Sequence, residues 1–207
     1  MLDTSILQQV TEIFRNLEAD YTLQVSYSPQ RGESAQLIEF LNDFATTSSH
    51  LKVVKEEAEG DALDFSLLKN NQDTGIKFRG IPNGHEFTSL LLAVLNADGK
   101  GKNMPDEGIA SRIRALKGDI RLQTYVLLTC TNCPDVVQTL NIFALLNPGI
   151  RHEMIDGALF QAEVDKLGVQ AVPSVYADGK LIHVGRGSLG ELLDKLEEKY
   201  PSSGETE

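Results

Sequence analysis

Residues 125–137, which read YVLLTCTNCPDVV, decide how this sequence folds and what chemistry it can perform. The segment runs from an apolar stretch at 125–128 into two cysteines, Cys130 and Cys133, and then into two valines. An uninterrupted apolar run is typical of a strand that is buried on both faces, and the valines open the apolar face of a helix. We therefore predict a strand over 120–128, a C-x-x-C loop and a helix, in that order.

The cysteine pair indicates redox chemistry, because these are the only two cysteines among the 207 residues. A nucleophilic thiol reacts as a thiolate, whereas an unperturbed cysteine with a pKa of about 8.5 is mostly protonated at neutral pH. Placing Cys130 at a helix amino terminus would lower its pKa through unpaired N–H groups and the helix dipole. We expect Cys130 to be the exposed attacking thiolate and Cys133 the buried resolving thiol.

Two other interpretations of the pair stay open. The cysteines could form half of a zinc site, but such sites take four ligands and the chain has no second C-x-x-C or paired-histidine motif. Its histidines are scattered, at His50, His85, His152 and His183. The cysteines could also be two buried structural thiols, although the strand, C-x-x-C and helix context disfavours this. We expect no metal.

Composition and charge exclude several classes of protein. The chain has 19 Lys plus Arg against 30 Asp plus Glu, a net charge of −11, which argues against nucleic acid as a partner. Its 41% hydrophobic and 24% charged residues exclude a disordered chain, a collagen and a disulfide-stapled miniprotein. Neither a signal peptide nor a membrane-spanning run is visible, so we expect a cytoplasmic protein without a membrane partner.

Hydrophobic periodicity divides the chain into two halves with the same order of elements: strand, helix, strand, two-strand hairpin and final helix. The predicted strands lie at 21–27, 51–55, 63–68, 76–79, 120–128, 150–155, 172–176 and 180–184. Among the helices, Thr4 or Ser5 caps the first, and another covers 158–167. We predict an α/β protein made of two copies of one small unit, each a central mixed sheet flanked by helices.

A polar, glycine-rich stretch at 96–103 is the best internal boundary. We expect a first unit at 1–103, a connecting helix at 104–118, a second unit at 119–199 and a polar tail at 200–207. The cysteine loop of the second unit corresponds to residues 28–31 of the first, which contain no cysteine. If both units share a fold, only the second can perform thiol chemistry.

Two further residues are candidates for the site. Pro173 precedes a strand about 40 residues after the cysteines, where thioredoxin folds carry a cis-proline against the active disulfide. Taken alone, it would be an ordinary strand-initiating proline. Glu86 lies at the start of a helix, where an acidic residue is favourable without any catalytic role. Its neighbour His85 is most simply a surface or capping residue.

Several segments closely resemble the amino-terminal region of the flavoprotein component of alkyl hydroperoxide reductase. The most specific is CTNCPDVVQ at 130–138. The others are MLDT at 1–4, GHEFTSL at 84–90, LLNP at 145–148, IDG at 155–157, VPSV at 172–175 and GRG at 185–187. The resemblance covers essentially the whole chain.

The resemblance implies tandem thioredoxin-like folds that relay electrons. In the family, NADH reduces FAD, FAD reduces a dithiol in the carboxy-terminal part, and that dithiol reduces the amino-terminal C-x-x-C. The amino-terminal dithiol then reduces the disulfide of a peroxiredoxin partner, which supports removal of hydroperoxides. By motif, Cys130 would attack the partner, Cys133 would resolve the mixed disulfide, Glu86 would act as acid and base, and Pro173 would lie beside the disulfide.

The chain departs from the family pattern in two ways. Thr131 stands where family members carry histidine, which removes one possible contribution to thiolate stability. We also identify no G-x-G-x-x-G strand–helix unit, so we expect FAD and NADH to bind only in a missing carboxy-terminal flavin domain. We interpret the chain as an amino-terminal piece that ends in a linker at 200–207, a monomer by itself and part of a homodimer in the parent protein.

Two alternative functions remain. The chain could be a standalone, general protein disulfide reductase that resembles the glutaredoxin-like tandem proteins of archaea. Those proteins usually carry C-x-x-C in both halves, so the missing cysteines of the first half count against it. It could also be a docking module whose first half binds a partner and whose disulfide is incidental.

Overall fold

The computed structural model describes residues 1–202; residues 203–207, the end of the predicted linker, lie outside the described part of the chain. The helices are α1 (Thr4–Ile13), α2 (Glu33–Ala45), α3 (Phe87–Ala97), α4 (Glu107–Ala115), α5 (Cys133–Leu146), α6 (Gln161–Leu167) and α7 (Leu189–Lys199). A short 3₁₀ helix, Gly84–Glu86, precedes α3. The strands are β1 (Tyr21–Tyr27), β2 (Leu51–Glu57), β3 (Leu63–Lys69), β4 (Gln72–Arg79), β5 (Ile120–Val126), β6 (Ile150–Asp156), β7 (Ser174–Ala177) and β8 (Lys180–Val184).

The strands form one mixed sheet in the order β2-β1-β3-β4-β6-β5-β7-β8. In the first half, β1 pairs parallel with β2 and antiparallel with β3, which pairs antiparallel with β4. In the second half, β5 pairs in the same way with β6 and β7, and β7 with β8. The two halves therefore have the same strand topology, and the predicted fold class of two mixed α/β units is confirmed.

The halves join through their backbones. β4 of the first half pairs parallel with β6 of the second, with Ile76 opposite His152 and Arg79 opposite Ile155. Each unit alone would leave one of these two strands as an unpaired edge. The pairing converts two four-stranded sheets into a single continuous one.

A charged cluster adds side-chain contacts at the same junction. The Arg79 guanidinium donates to both carboxylate oxygens of Glu163 on α6, at 3.0 and 2.9 Å. The Phe160 ring lies between the guanidinium groups of Arg79 and Arg31, whose central carbons are 4.3 and 4.8 Å from the ring centroid. Bidentate ion pairs and cation–π contacts of this kind fix relative orientation. The first half is thereby held against the segment that leads into α6.

Alternating burial explains why the predicted strands form. In β3, Leu63, Phe65 and Leu67 are buried, and the residues between them are more exposed. Phe65 stacks on Phe78 of the neighbouring strand, with ring centroids 5.2 Å apart. Because side chains alternate across a strand, this period-two pattern points one face of the sheet into the core.

The strand predicted over 120–128 ends at Val126, two residues earlier than expected. Tyr125 and Val126 are buried as predicted, but Leu127 is 40% exposed. The chain turns here, because the Cys130 N–H donates to the Leu127 carbonyl at 3.0 Å. The cysteine loop leaves the sheet at this turn, so the apolar residues Leu127 and Leu128 lie beyond the end of the strand.

Several other predicted element ends are wrong by two to four residues or by the choice of cap. Asp3, not Thr4 or Ser5, caps α1, because its carboxylate accepts the Ser5 N–H at 2.7 Å. The helix predicted from 158 begins at Gln161, since a turn stabilised by Asp156 precedes it. The strand predicted from 172 begins at 174, after the Val172–Pro173 peptide. The strand predicted at 76–79 begins at Gln72, and the strand predicted at 51–55 ends at Glu57, because polar residues at these ends pair with the neighbouring strands. Local side-chain hydrogen bonds decide the first two ends, and periodicity does not detect them.

Helix α4 is tied to the second half. The Asn147 side-chain amide donates to the carbonyls of Ile113 and Leu116, at 2.9 and 3.0 Å. Ile113 and Leu116 are also buried. The division into units at 1–103 and 119–199 with a connecting segment at 104–118 stays a prediction.

Candidate active site

Cys130 and Cys133 form a disulfide at the start of α5, with their Cα atoms 5.5 Å apart. Cys133 is the first residue of the helix and is fully buried, whereas Cys130 lies in the preceding loop and is half-buried. Cys130 therefore precedes the helix rather than beginning it. The disulfide holds its sulfur against the first helical residue, and this sulfur is the more accessible of the two.

Helix α5 begins without a side-chain cap. Its N-cap residue, Asn132, makes no hydrogen bond from its side chain to the first turn, although asparagine is a favoured cap. Its Oδ1 instead accepts a hydrogen bond from Arg186 Nε at 2.8 Å. The first-turn N–H groups of the helix are therefore not satisfied by the residue that usually satisfies them.

The segment that contains Pro173 lies next to Cys130. The Val172–Pro173 peptide is cis, and the proline is buried. The carbonyl oxygen of Val172 is 3.9 Å from the Cys130 sulfur. The segment before β7 therefore contacts the more accessible cysteine directly.

The 3₁₀ helix of the first half packs against the chain just before the cysteines. The His85 N–H donates to the Leu128 carbonyl at 3.1 Å. Gly84 has a positive φ of 55°, and a Cβ at this position would lie 2.9 Å from the same carbonyl oxygen. Glycine is thus required for the close approach. His85 is exposed, as expected for a surface residue.

Glu86 ends this 3₁₀ helix with a fully buried side chain. Burial raises its pKa from 4.5 to about 7, while a hydrogen bond from Ser89 to Oε2 (2.6 Å) acts in the opposite direction. Among the described residues, Oε1 has no hydrogen-bond partner. Gln138 of α5 donates to the Ser89 hydroxyl at 3.3 Å, which connects Glu86 to the cysteine-bearing helix. A carboxyl group with this pKa can exchange a proton near neutral pH.

This environment differs from that of an ordinary acidic residue in a first helical turn, which would be solvated. Ser89 and Gln138 were not predicted as site residues. The spacing of Glu86 and Ser89, three residues apart at a helix start, is a local signal that could have linked them. Gln138 lies 49 residues from Ser89, and only the fold brings these two side chains together.

A groove of about 500 Å³ borders the C-x-x-C loop. Its lining comprises Thr131, Asn132, Asp135, Arg186, Gly187, Ser188 and Glu191. A slightly larger cavity, of about 570 Å³, is lined largely by residues in and around β4, β5 and β6 and contains none of the predicted site residues. The smaller groove is therefore the one adjacent to the thiol chemistry.

The letters G-x-G-x-x-G do occur in the chain, at 185–190, so the expectation that the sequence lacks such a strand–helix segment is wrong in its letters. A dinucleotide-binding unit places these glycines after a parallel strand and follows the helix with a second strand. Here β8 pairs antiparallel with β7 at the edge of the sheet, so the glycines do not follow a parallel strand. The segment is not a dinucleotide-binding unit.

The described part of the chain offers no metal cluster and no membrane-spanning helix. Within residues 1–202, no group of three or more His, Cys, Asp or Glu side chains is arranged to hold a metal ion. No helix in that range combines the length and apolar character needed to cross a bilayer. The cysteine pair is present as a redox disulfide.

Comparisons with known proteins agree with this geometry. A family model described as a thioredoxin domain matches residues 122–198. The chain is 39% identical over 196 residues to a protein named NADH dehydrogenase from Bacillus subtilis, a match that covers 95% of this chain and 38% of the relative. It is 36% identical to the F subunit of alkyl hydroperoxide reductase from Pseudomonas aeruginosa, over 95% of this chain and 37% of the relative. The chain thus spans less than two fifths of the length of these relatives.

Solved structures extend the match to the whole fold. The NTD_N/C domain of alkylhydroperoxide reductase AhpF from Enterococcus faecalis superposes with a TM-score of 0.86 at 29% identity, covering 95% of this chain and 100% of that one. A protein disulfide oxidoreductase from Aeropyrum pernix superposes with a TM-score of 0.84 at 20% identity, covering 97% and 95%, which shows a shared fold alone.

The two mixed units are thioredoxin-like, and the second carries the C-x-x-C disulfide of a disulfide oxidoreductase domain. Over 95% of its length the chain is therefore similar to the amino-terminal, tandem thioredoxin-like region of the AhpF flavoproteins of alkyl hydroperoxide reductase.

Proposed function

We propose that this chain relays electrons from the flavin and NADH part of an alkyl hydroperoxide reductase to the disulfide of a peroxiredoxin. The observation that carries the proposal is the disulfide between half-buried Cys130 and fully buried Cys133, in a chain that is similar to this region of the AhpF proteins. The difference in burial matches the two roles that exchange chemistry needs, because only an accessible sulfur can meet a partner disulfide.

The exchange proceeds in two steps that move two electrons. In the reduced chain, the Cys130 thiolate attacks one sulfur of the partner disulfide, forms a mixed disulfide and releases the other partner sulfur as a thiolate. Cys133 then loses its proton and attacks the Cys130 sulfur. This re-forms the Cys130–Cys133 disulfide and releases the second partner thiolate, so the partner is reduced and the chain is oxidised.

Glu86 supplies the proton transfer in this scheme. Its pKa of about 7 means that both its forms are populated near neutral pH. As a carboxylate it accepts the Cys133 proton, and as an acid it returns a proton when the dithiol is regenerated. Support comes from its burial, from Oε1, which has no hydrogen-bond partner among residues 1–202, and from its connection through Ser89 and Gln138 to α5.

The electrons enter from outside this chain. In the family scheme, NADH reduces FAD, and a second dithiol passes the electrons to Cys130–Cys133, so we assign no residue of this chain to either cofactor. A relay of this kind belongs in the cytoplasm, where thiols are kept reduced. That the chain is a monomer and its parent protein a homodimer stays a prediction.

A general protein disulfide reductase is the second candidate. It is favoured by the likeness to the Aeropyrum pernix protein disulfide oxidoreductase, which concerns the fold alone. It is disfavoured by the first half, where residues 28–31 contain no cysteine.

Trapping the mixed disulfide tests the proposal. In the Cys133→Ser variant the resolving thiol is absent, so mixing it with an oxidised peroxiredoxin should accumulate an adduct through Cys130. The adduct is read on a non-reducing gel and located by mass spectrometry. Binding of the peroxiredoxin without an adduct would favour the docking module. Equal reduction of insulin and of the peroxiredoxin by the unmodified chain would favour the general reductase.

A further inference from the structure

We propose that Arg186 is a positioning residue for the dithiol: the loop after β8 fixes its guanidinium against the C-x-x-C loop, where the positive charge stabilises the Cys130 thiolate. The inference rests on the proposed function, in which Cys130 attacks as a thiolate. It concerns the glycine-rich segment at 185–190, to which the relay as proposed assigns no role.

His183 of β8 is buried, and it holds the backbone of this loop through hydrogen bonds. Lys195 Nζ lies 2.7 Å from His183 Nδ1, and an ammonium group can only donate, so Nδ1 accepts and the ring proton is on Nε2. Nε2 then donates to the Arg186 carbonyl at 2.7 Å, with the Gly185 carbonyl 3.0 Å away. The backbone of Arg186 is therefore held by a buried, oriented donor.

The same loop is fastened to the segment that contains the cis-proline. The Gly185 N–H donates to the Pro173 carbonyl at 2.8 Å. Gly187 lies directly on the His183 ring, since a Cβ at this position would be 2.7 Å from Nε2. Only glycine allows that contact without displacing the ring. The contacts of the two glycines on either side of Arg186 thus fix the position of the loop next to the site.

The Arg186 side chain reaches the cysteine loop itself. Its Nε donates to Asn132 Oδ1 at 2.8 Å, and Asn132 is the residue directly before Cys133. Oδ1 accepts this bond and makes no capping bond to α5. The hydrogen bond places the guanidinium next to the residue that precedes Cys133. The first-turn N–H groups of α5 are not bound by the side chain that usually caps a helix.

The surrounding charges give the arginine a clear electrostatic role. Of the described residues that line the groove, Arg186 is the one cation, and Asp135 and Glu191 carry negative charges. Carboxylates near a thiol oppose its ionisation, and a fixed cation offsets them. Two further titratable groups lie behind the loop: His183 of β8, which donates to the Arg186 carbonyl, and Lys195 of α7, which donates to His183. Neither of these changes in an Arg186 variant.

The expected effect is modest, because Arg186 is exposed. A unit charge several ångströms from a sulfur across a solvated groove shifts the pKa of the thiol on the order of 0.5 unit. Arg186→Gln should raise the pKa of Cys130 by that amount. The substitution should also lower the reaction rate of Cys130 about threefold at pH values below its pKa, since each pKa unit is a factor of ten. Arg186→Lys keeps the charge and should retain most of the effect.

The measurement is the pH dependence of the alkylation rate of the reduced chain by iodoacetamide. It reports Cys130, because Cys133 is fully buried. Arg15→Gln is the matched control: it removes the same charge from an exposed arginine that pairs with Glu12 on α1. The Arg186→Gln difference should also shrink between about 0.02 and 1 M salt, since salt screens exposed charges. A loss caused by local unfolding would not shrink in this way.

The proposal is overturned if Arg186→Gln titrates like Arg15→Gln, or if Arg186→Lys shifts the profile as far as Arg186→Gln does. Failure of the relay is distinguishable, because alkylation needs neither a peroxiredoxin nor a flavin part. A chain that shows the Arg186 shift but forms no adduct in the Cys133→Ser experiment would keep this inference and lose the relay.

Discussion

The loops after β1 and after β5 occupy the same place in two copies of one topology, but they do different work. The first, at 28–32, contains no cysteine, and the second, at 127–132, carries Cys130. Each loop contacts a carbonyl two residues before the third strand of its own half. In the second half the contact is made by the Cys130 sulfur, 3.9 Å from the Val172 carbonyl.

In the first half a guanidinium takes that place. Arg31 donates to the Asp61 carbonyl at 3.0 Å, and it also reaches across to the Leu159 carbonyl of the second half at 2.6 Å. Its guanidinium group lies over the Phe160 ring. The equivalent loop has thus become a point of attachment between the halves. The first half also holds the buried Glu86, which connects to α5 through Ser89 and Gln138.

The thioredoxin-like topology therefore does not by itself produce thiol chemistry. One copy holds the disulfide, and the other holds a buried carboxyl group and the arginines that attach it to its neighbour. Three predictions bear on this division, from the largest expected effect to the smallest.

Replacing the accessible sulfur should break the function of one loop only. Cys130→Ser should reduce disulfide exchange to the uncatalysed rate, because no thiolate remains to attack the partner. Gln30→Ser changes an exposed residue three positions before α2, as Cys130 is three positions before α5, and should leave the rate unchanged. The rates follow from reduction of a peroxiredoxin by the chemically reduced chain. A comparable loss in Gln30→Ser would mean that both loops take part in exchange.

Glu86 should make the stability of the chain depend on pH. Its folded pKa of about 7 lies above the ordinary 4.5. The folded state therefore binds the proton more tightly, and the stabilisation present below pH 4.5 is lost as pH rises through 7. Between about pH 5 and 8 this group should cost about 2 to 3 kcal/mol of unfolding free energy. Glu86→Gln, which stays neutral, should not show that loss.

The measurement is urea unfolding of both proteins at the two pH values. Glu107→Gln is the matched control, since Glu107 is an exposed acid in the first turn of α4. It should follow the pH dependence of the unmodified chain. If the unfolding free energy of Glu86→Gln changed with pH as much as that of the unmodified chain, Glu86 would not be a buried carboxyl group that titrates in this range.

The ion pair between the halves should contribute less. Glu163→Gln leaves the Arg79 guanidinium, 17% exposed, without its bidentate partner, and also weakens the hydrogen bond from Tyr125. A partly buried pair of this kind should cost about 1 to 2 kcal/mol when broken. Glu12→Gln, at the exposed Arg15 pair, should change stability by about 0.5 kcal/mol or less. Equal effects in urea unfolding would show that the pair does not fix the halves together.

Much of the fold could be predicted from the sequence, because it is determined by local periodicity. The alternation in β3 and the Asp178–Gly179 turn before β8 are properties of neighbouring residues, and the strand predicted at 180–184 agrees with the structure. Element ends were predicted less well. Asp3 competes with Thr4 and Ser5 for the same cap, and the apolar letters of Leu127 and Leu128 do not reveal the turn that ends β5.

The site was only partly predictable for a different reason. The cysteines and Pro173 stand in local patterns, whereas the environment of Glu86 depends on Ser89 and on Gln138, which is distant in sequence. The contact between Arg186 and Asn132 spans 54 residues. The G-x-G-x-x-G pattern at 185–190 is local but misleading, because it indicates a dinucleotide-binding unit only when it follows a parallel strand, and β8 is antiparallel to β7.

The pairing of β4 with β6 also bears on aggregation. It buries the fourth strand of one unit and the second strand of the other, so the outer edges of the sheet are β2 and β8. β2 carries charged Lys52, Lys55, Glu56 and Glu57, which discourage edge-to-edge association. Expressing either half alone would uncover an edge that this protection does not reach. In the whole chain, the cysteine-free half covers the β6 edge of the second half, on which a further strand would otherwise be able to pair.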